Sequence, residues 1–201
     1  THYASYRSQV IARWPSSGTP DVFGSPEAYR QRVQAMVDTG VLLDPGMVYW
    51  DARPSAEYPT LEVRIADVCL DVRDTMLLAA LSRALVETAS EEWRSEMPPA
   101  DVPSSMLRLA SWQAARDGVG GSLLDPASMQ PRPAEEVLHG LVEHVRPALK
   151  ANHDDEFVEQ RLAEVLRDGN GATRQRAVLE KTGSMLDVVA DIARVTAGLD
   201  S

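Results

Sequence analysis

The chain has a single cysteine, Cys69, in 201 residues. One thiol builds neither a disulfide framework nor a thiolate metal centre, so the sequence points to a reducing compartment, the cytoplasm. No run approaches the roughly 20 apolar residues that a bilayer-spanning helix needs. The first residues lack a basic-then-apolar leader pattern. Positive charge is also scarce: 20 Lys and Arg against 30 Asp and Glu leave a formal net charge of −10. A field of that sign works against nucleic acid and against an anionic membrane surface as partners. It leaves room for an anionic small molecule held by a local group of arginines. The four histidines, His2, His139, His144 and His153, have no metal-ligand spacing, and His139 and His144, five apart, miss a shared helical face. There is no Ser/His/Asp nucleophile motif and no glycine-rich phosphate loop. Gly118-Val119-Gly120-Gly121 reads as a flexible turn, and Cys69, between Val68 and Leu70, as a buried structural thiol.

What is present is ordinary for a folded domain: 44% hydrophobic and 25% charged residues. The length suits one domain with a real core, taken as residues 1–201. Residues 1–70 read as a loop, a helix and strands, and residues 71–201 as a helical layer. The first 25 residues hold turn chemistry around Trp14-Pro15-Ser16-Ser17-Gly18 and read as an ordered loop. Ser25-Pro26-Glu27 opens a helix, with Ser25 as cap and Gly40 as terminator. Helices follow from Asp71 to about Ser95, from Ser104 to Asp117, from Pro133 to Lys150 and from Asp154 to Asp168. A last one carries Val178, Leu179, Met185, Val188, Ile192 and Val195. Leu123-Leu124 reads as a very short strand before a turn.

Met47 to Asp51 and Thr60 to Ala66 read as two strands joined by a short turn, an antiparallel hairpin. In the second strand Leu61, Val63 and Ile65 alternate with Thr60, Glu62 and Arg64. Alternation puts a hydroxyl, a carboxylate and a guanidinium on one ridge. An oxygen ligand beside a fixed cation suits a metal ion and the phosphate it neutralises. The same pattern also describes an exposed sheet face with a weak diagonal ion pair. Two strands do not make a stable sheet alone, so partner strands are expected from outside this sequence. The fold class expected is α+β: a small antiparallel piece covered by helices.

Several strings, in order along nearly the whole chain, resemble one family. They are Tyr3-Ala4-Ser5-Tyr6-Arg7-Ser8-Gln9 with Arg13-Trp14-Pro15; Trp50-Asp51-Ala52-Arg53-Pro54-Ser55; Pro59-Thr60-Leu61-Glu62-Val63-Arg64; Trp112-Gln113-Ala114-Ala115-Arg116-Asp117-Gly118; and Gly169-Asn170-Gly171-Ala172-Thr173-Arg174-Gln175-Arg176. Together they look like the carboxylate–amine ligases, also called type-2 glutamate–cysteine ligases. The resemblance implies part of a glutamine-synthetase-like antiparallel-sheet catalytic domain with a mostly helical C-terminal layer. It implies ATP-dependent joining of a glutamate-like carboxylate to a cysteine-like amine through an acyl phosphate, with Mg²⁺. It further implies that the chain is the C-terminal half. A Glu-rich opening strand of the family, expected to bring more metal ligands, is absent from it. Thr1 in place of a start Met agrees with a fragment or a processed chain.

Under that resemblance Glu62 is the expected metal ligand. Arg64 and Arg53 are the expected catalytic cations. Arg7, Arg53, Arg64 and Thr60 are the expected contacts to ATP or substrate. Arg53 otherwise reads as an ion-pair partner of Asp51, Arg64 as a partner of Glu62 only, and Trp50 as packing. Arg174 and Arg176 sit at a helix N-terminus and read either as an anion site or as arginines tied to nearby acids such as Asp168. Two other readings stay open: a non-catalytic helical interface module that completes a ligase only with a missing N-terminal half, and a guanidino phosphotransferase. A homodimer is compatible with the long apolar helices.

Overall fold

The computed structural model describes residues 2–199, and several of its helices start where a side chain satisfies an orphan backbone group. α1 spans Tyr6–Ile11, inside the stretch expected to be loop. At six residues it is too short to show a helical period, which is why the sequence hides it. α2 spans Pro26–Asp38, with Ser25 Oγ accepting from Ala28 N at 3.1 Å. Gly40 follows at φ +73°. A 3-10 turn covers Pro45–Met47. β1, Ala52–Pro54, and β2, Leu61–Val63, pair antiparallel with Arg53 opposite Glu62. The first strand therefore lies five residues beyond its expected start at Met47. Asp44 carboxylate caps the Pro45 turn and curls the backbone there.

α3 spans Val72–Arg94, started by Asp71, whose carboxylate accepts from Arg73 N at 2.8 Å. α4 spans Ser104–Asp117. A 3-10 turn, Gly118–Gly120, leads to β3, Ser122–Leu124, which pairs antiparallel with β4, Pro131–Pro133. β4 had no strand signal, because two of its three residues are prolines, which fit only an edge. α5 covers Ala134–Ala151, α6 Asp155–Asp168, α7 Gly171–Thr182 and α8 Met185–Thr196. The last two were expected as one helix. Gly183 at φ +68° ends α7 in the left-handed region, and Ser184 Oγ accepts from Asp187 N to start α8. The fold is thus α+β and mostly helical, with two small antiparallel sheets. Among the described residues no helix is long and apolar enough to cross a membrane.

The chain divides into two compact units. The first comprises residues 1–6, 67–98 and 113–201. Its core is a three-helix contact: Leu77, Ala80 and Ala84 of α3, Val142, Val145 and Leu149 of α5, and Val158 and Leu162 of α6. The α3 residues recur at i, i+3 and i+7, one helical stripe. Its rim is charged: Arg161 pairs with Asp74 at 2.7 Å and with Glu164 at 2.5 Å. Gly118 belongs to this unit. It sits at φ +62°, and a Cβ there would come 2.6 Å from the Ala4 methyl, so only glycine fits. Cys69 is half-buried rather than enclosed, and its neighbour Val68 is 92% exposed; the alternation of β2 has ended by then, so that segment has no buried face.

The second unit, residues 7–66 and 99–112, has an aromatic core. Trp50 stacks tilted on Phe23 at 5.0 Å and edge-on to Tyr29 at 5.7 Å. Leu42, Val48, and Val33, Met36 and Val37 of α2 close around them. Trp50 is a packing residue.

Leu149 has no exposed surface. Leu149→Ala is expected to lower the unfolding free energy by about 3 kcal/mol, because the three-helix contact cannot collapse onto the void. Leu186→Ala, on exposed α8, should change it by less than about 0.5 kcal/mol. Urea titrations of both variants check this. A second expectation concerns Asp191. Hydrogen bonds first from Arg174 and then from Arg194 hold its carboxyl down at about 2. Because that lies below the ordinary carboxyl value, its support of the α7–α8 pair is full above about pH 4. It fades as pH falls toward 2. The stability gap between the parent chain and Asp191→Asn should shrink across that window, measured by urea midpoints at pH 5, 3.5 and 2.5.

Candidate active site

The small hairpin brings Arg53 and Arg64, two of the residues singled out above, onto the carboxylate of a third, Glu62. Arg53 and Glu62 face each other across β1 and β2, so their side chains leave the same face. Arg53 Nε donates to Glu62 Oε2 at 3.0 Å. Arg64, two residues past Glu62 and on the same side, donates from Nη1 to that same Oε2 at 3.2 Å. Among the described residues Oε1 takes no hydrogen bond. The hydrogen bond from Arg53, more than that from Arg64, holds the Glu62 carboxyl below its usual range, so it is ionised at neutral pH.

Each guanidinium is fixed from a second direction. Arg53 Nη1 donates to the carbonyl of Val48 at 2.6 Å and to that of Gly46 at 3.1 Å. Its side chain is only 14% exposed. This is a bidentate use of the planar fork that a lysine cannot reproduce. Arg64 lies over the Tyr49 ring at 5.9 Å, and Tyr49 packs edge-on against Trp14 at 5.8 Å. Arg7, on α1, donates from Nη2 to the carbonyl of Arg64 at 3.2 Å. It braces the strand end rather than Glu62 itself. Thr60 closes the turn: its carbonyl accepts from Ser55 N at 2.8 Å, and the residue is exposed.

A third extended segment completes the frame. Tyr49 N donates to the carbonyl of Ser16 and Asp51 N to that of Gly18, both at 3.0 Å. Thr19 Oγ1 donates to Asp51 Oδ2 at 2.8 Å. Asp51 is therefore engaged by the loop, and the partner of Arg53 is Glu62, not Asp51. Tyr49 was missed from sequence. Its signal was available: Trp50 is a core residue, and in extended backbone its neighbour Tyr49 must point to the opposite side.

The apolar side of β2 is not a core face in this chain. Leu61, Val63 and Ile65 are all exposed, while Glu62 between them is half-buried. Alternation is present, but what it was expected to cover is not. Arg174 and Arg176 lie away from this cluster in sequence and in role. Arg174 forms a two-pronged pair with Asp191, Nε to Oδ2 at 2.8 Å and Nη2 to Oδ1 at 3.1 Å. Arg176 donates to the carbonyl of Tyr3 at 3.3 Å. Asp168 pairs with Arg167 instead.

Among the described residues no group of three His, Cys, Asp or Glu could hold a metal ion. Glu62 fits as one hard oxygen ligand, through Oε1. Mg²⁺ commonly takes one or two protein carboxylates and fills its octahedron with phosphate and water oxygens. With Arg53 and Arg64 on the other oxygen, the hairpin favours a cation that arrives with an anion over a bare ion.

A sequence profile described as glutamate–cysteine ligase family 2 matches residues 1–191. A protein of Streptomyces avermitilis provisionally named glutamate–cysteine ligase 2-1 is 51% identical over 196 residues, which cover 98% of this chain and 54% of that protein. A Streptomyces coelicolor protein provisionally named glutamate–cysteine ligase 2 is 52% identical over 194 residues, 96% of this chain and 53% of its own. A Paenarthrobacter aurescens protein, provisionally glutamate–cysteine ligase 2-3, is 48% identical over 176 residues, 88% and 42% respectively. The chain spans about half the length of the curated relatives it matches.

Arg53→Lys keeps the charge but cannot reach both Glu62 and the Val48 carbonyl. The Glu62 carboxyl is expected to titrate closer to its ordinary value in that variant. Carbon-detected NMR of the side-chain carboxyls reads this directly; an unmoved Glu62 would mean that Arg53 does not hold it.

Proposed function

The chain belongs to the glutamate–cysteine ligase family 2, and from that premise we propose that it is part of an ATP- and magnesium-dependent carboxylate–amine ligase. The observation that supports this reading is the shared Glu62 oxygen: two guanidiniums fix one side of a carboxylate and leave Oε1 open. The substrates proposed are a glutamate-like carboxylate and a cysteine-like amine, the chemistry carried in the relatives' names.

In this proposal the γ-phosphorus–oxygen bond of ATP breaks as a substrate carboxylate oxygen takes the phosphoryl group and ADP leaves. The amine then attacks the acyl carbon. A carbon–nitrogen bond forms, the amine loses a proton, and inorganic phosphate departs. A phosphoryl transfer of this kind asks the protein mainly for positioning and for neutral surroundings for spreading negative charge. Arg64 is suited to the phosphate or the substrate carboxylate, because its fork is held over Tyr49 with Nη2 not used on Glu62. Arg53 orients Glu62 and adds a second positive charge. Arg7 braces the strand from which Arg64 projects, and Thr60 sets the turn at its start. Mg²⁺ bound through Glu62 would supply charge neutralisation for the phosphates. Phosphate and water oxygens would fill the rest of its coordination shell.

The experiment uses the full-length family protein carrying this segment. Glu62→Gln removes the charge and keeps the shape. It is expected to lower turnover by at least roughly 100-fold, the scale of one lost transition-state charge contact, and to weaken the response to Mg²⁺. Circular dichroism should show unchanged helicity. Hydroxylamine added with ATP and the carboxylate should yield a hydroxamate, since it traps an acyl phosphate. Normal turnover in Glu62→Gln would refute the role given to Glu62, and absence of the hydroxamate in an active enzyme would refute the acyl phosphate.

A further inference from the structure

α3 carries two apolar stripes, and only one of them has a partner. Leu77, Ala80 and Ala84 face the α5–α6 core. About half a turn around the helix, Val72, Met76, Leu78, Leu85, Val86 and Trp93 are all exposed, Val72 at 70% and Trp93 at 77%. At 3.6 residues per turn these six are spread over about half the helix circumference, along the whole 23-residue helix, about 34 Å long. A helix that is apolar on opposite sides belongs to the middle of a layered structure, not to its surface. An exposed apolar patch of that extent marks an interface.

We infer that the outer face of α3 is the docking surface for the part of the ligase that lies outside this chain. This rests on the proposed function only in taking the chain as one part of a longer family protein. The occupant follows from length: 98% of the chain matches only 54% of its relative, so a comparable stretch of family polypeptide is unaccounted for. A second copy of this chain fits less well. Antiparallel pairing centred on the midpoint of α3 would set Arg83 beside Arg83 of the copy, at the edge of the apolar face. Two Arg83–Asp154 ion pairs would have to be desolvated there, which opposes that pairing. Arg83 of the chain itself pairs with Asp154, and the small side chains of Thr75, Ser82 and Ser90 lie among the six apolar ones.

The test supplies, as a separate polypeptide, the portion of the Streptomyces avermitilis relative that this chain does not match, and measures association by analytical ultracentrifugation. The parent chain should bind it, and hydrogen exchange of α3 should slow in the complex. The double variant Met76→Glu, Val86→Glu should stay folded alone, since both sites are exposed. It should bind at least roughly 100-fold more weakly, because two unpaired charges would have to be desolvated. Glu62→Gln should bind like the parent, which separates docking from the chemistry assigned to Glu62. Three results would overturn the inference: no association of the parent chain, association unaffected by the double variant, or a dimer of the chain alone that the double variant dissolves.

Discussion

Around the Glu62 carboxylate the second unit of this chain is tied together. β1 and β2 are three residues each, far below what holds a hairpin in water. Their backbone pairing is reinforced by a cross-strand ion pair, Arg53 to Glu62, whose cationic partner also ties down the carbonyls of Gly46 and Val48. The 3-10 turn, the first strand and the second strand are thereby joined through one guanidinium. Trp50 anchors the same backbone from beneath, in an aromatic cluster with Phe23 and Tyr29. Loss of the carboxylate would leave a nearly buried Arg53 charge with carbonyl partners only, a costly arrangement.

The same interaction reconciles the global charge with a local taste for anions. The chain as a whole carries −10, which repels phosphate at long range. At the Glu62 carboxylate itself two guanidiniums, Arg53 and Arg64, meet one acid, an excess of one positive charge. At physiological ionic strength the field of distant surface acids is screened beyond about 8 Å. A ligand entering the hairpin therefore meets the guanidiniums and not the protein average. The order of the groups matters too: Arg53 is spent on holding Glu62, Arg7 on holding the strand, and Arg64 alone sits at the outer edge with an aromatic ring beneath it.

Much of this is legible in the sequence, and the exceptions have physical causes. Helices α2 and α3 announce themselves, because capping residues and apolar stripes coincide: Ser25 before Pro26, and Asp71 before Val72; α5 and α6 have no side-chain cap and are read from apolar spacing alone. The split between α7 and α8 is carried by Gly183-Ser184, a left-handed stop followed by a cap, which the unbroken apolar period on either side conceals. The shift of β1 from Met47 to Ala52 has a similar origin. Met47-Val48-Tyr49-Trp50 has the composition of a strand, yet Asp44 and Pro45 impose a turn on its start and Trp50 is drawn into a core instead. The meeting of Arg53 with Glu62 follows from the hairpin register. The brace from Arg7 and the ring of Tyr49 depend on a loop path that no local pattern encodes.

One discrepancy is more informative than the rest. Leu61, Val63 and Ile65 have the alternation of a core-facing strand, and Val72, Met76 and Val86 the spacing of a core-facing helix, yet all six are exposed. Hydrophobic periodicity records what a segment is selected to cover and is silent about whether the cover is part of the same polypeptide. Apolar area left in water gains nothing from the hydrophobic effect, about 25 cal/mol per Å². When the local signals for an element are met and its burial is not, the unmet term belongs to another surface. The chain spans about half the length of its relatives, and in the proposal made above these exposed, correctly spaced apolar residues are the ones that the rest of the ligase covers.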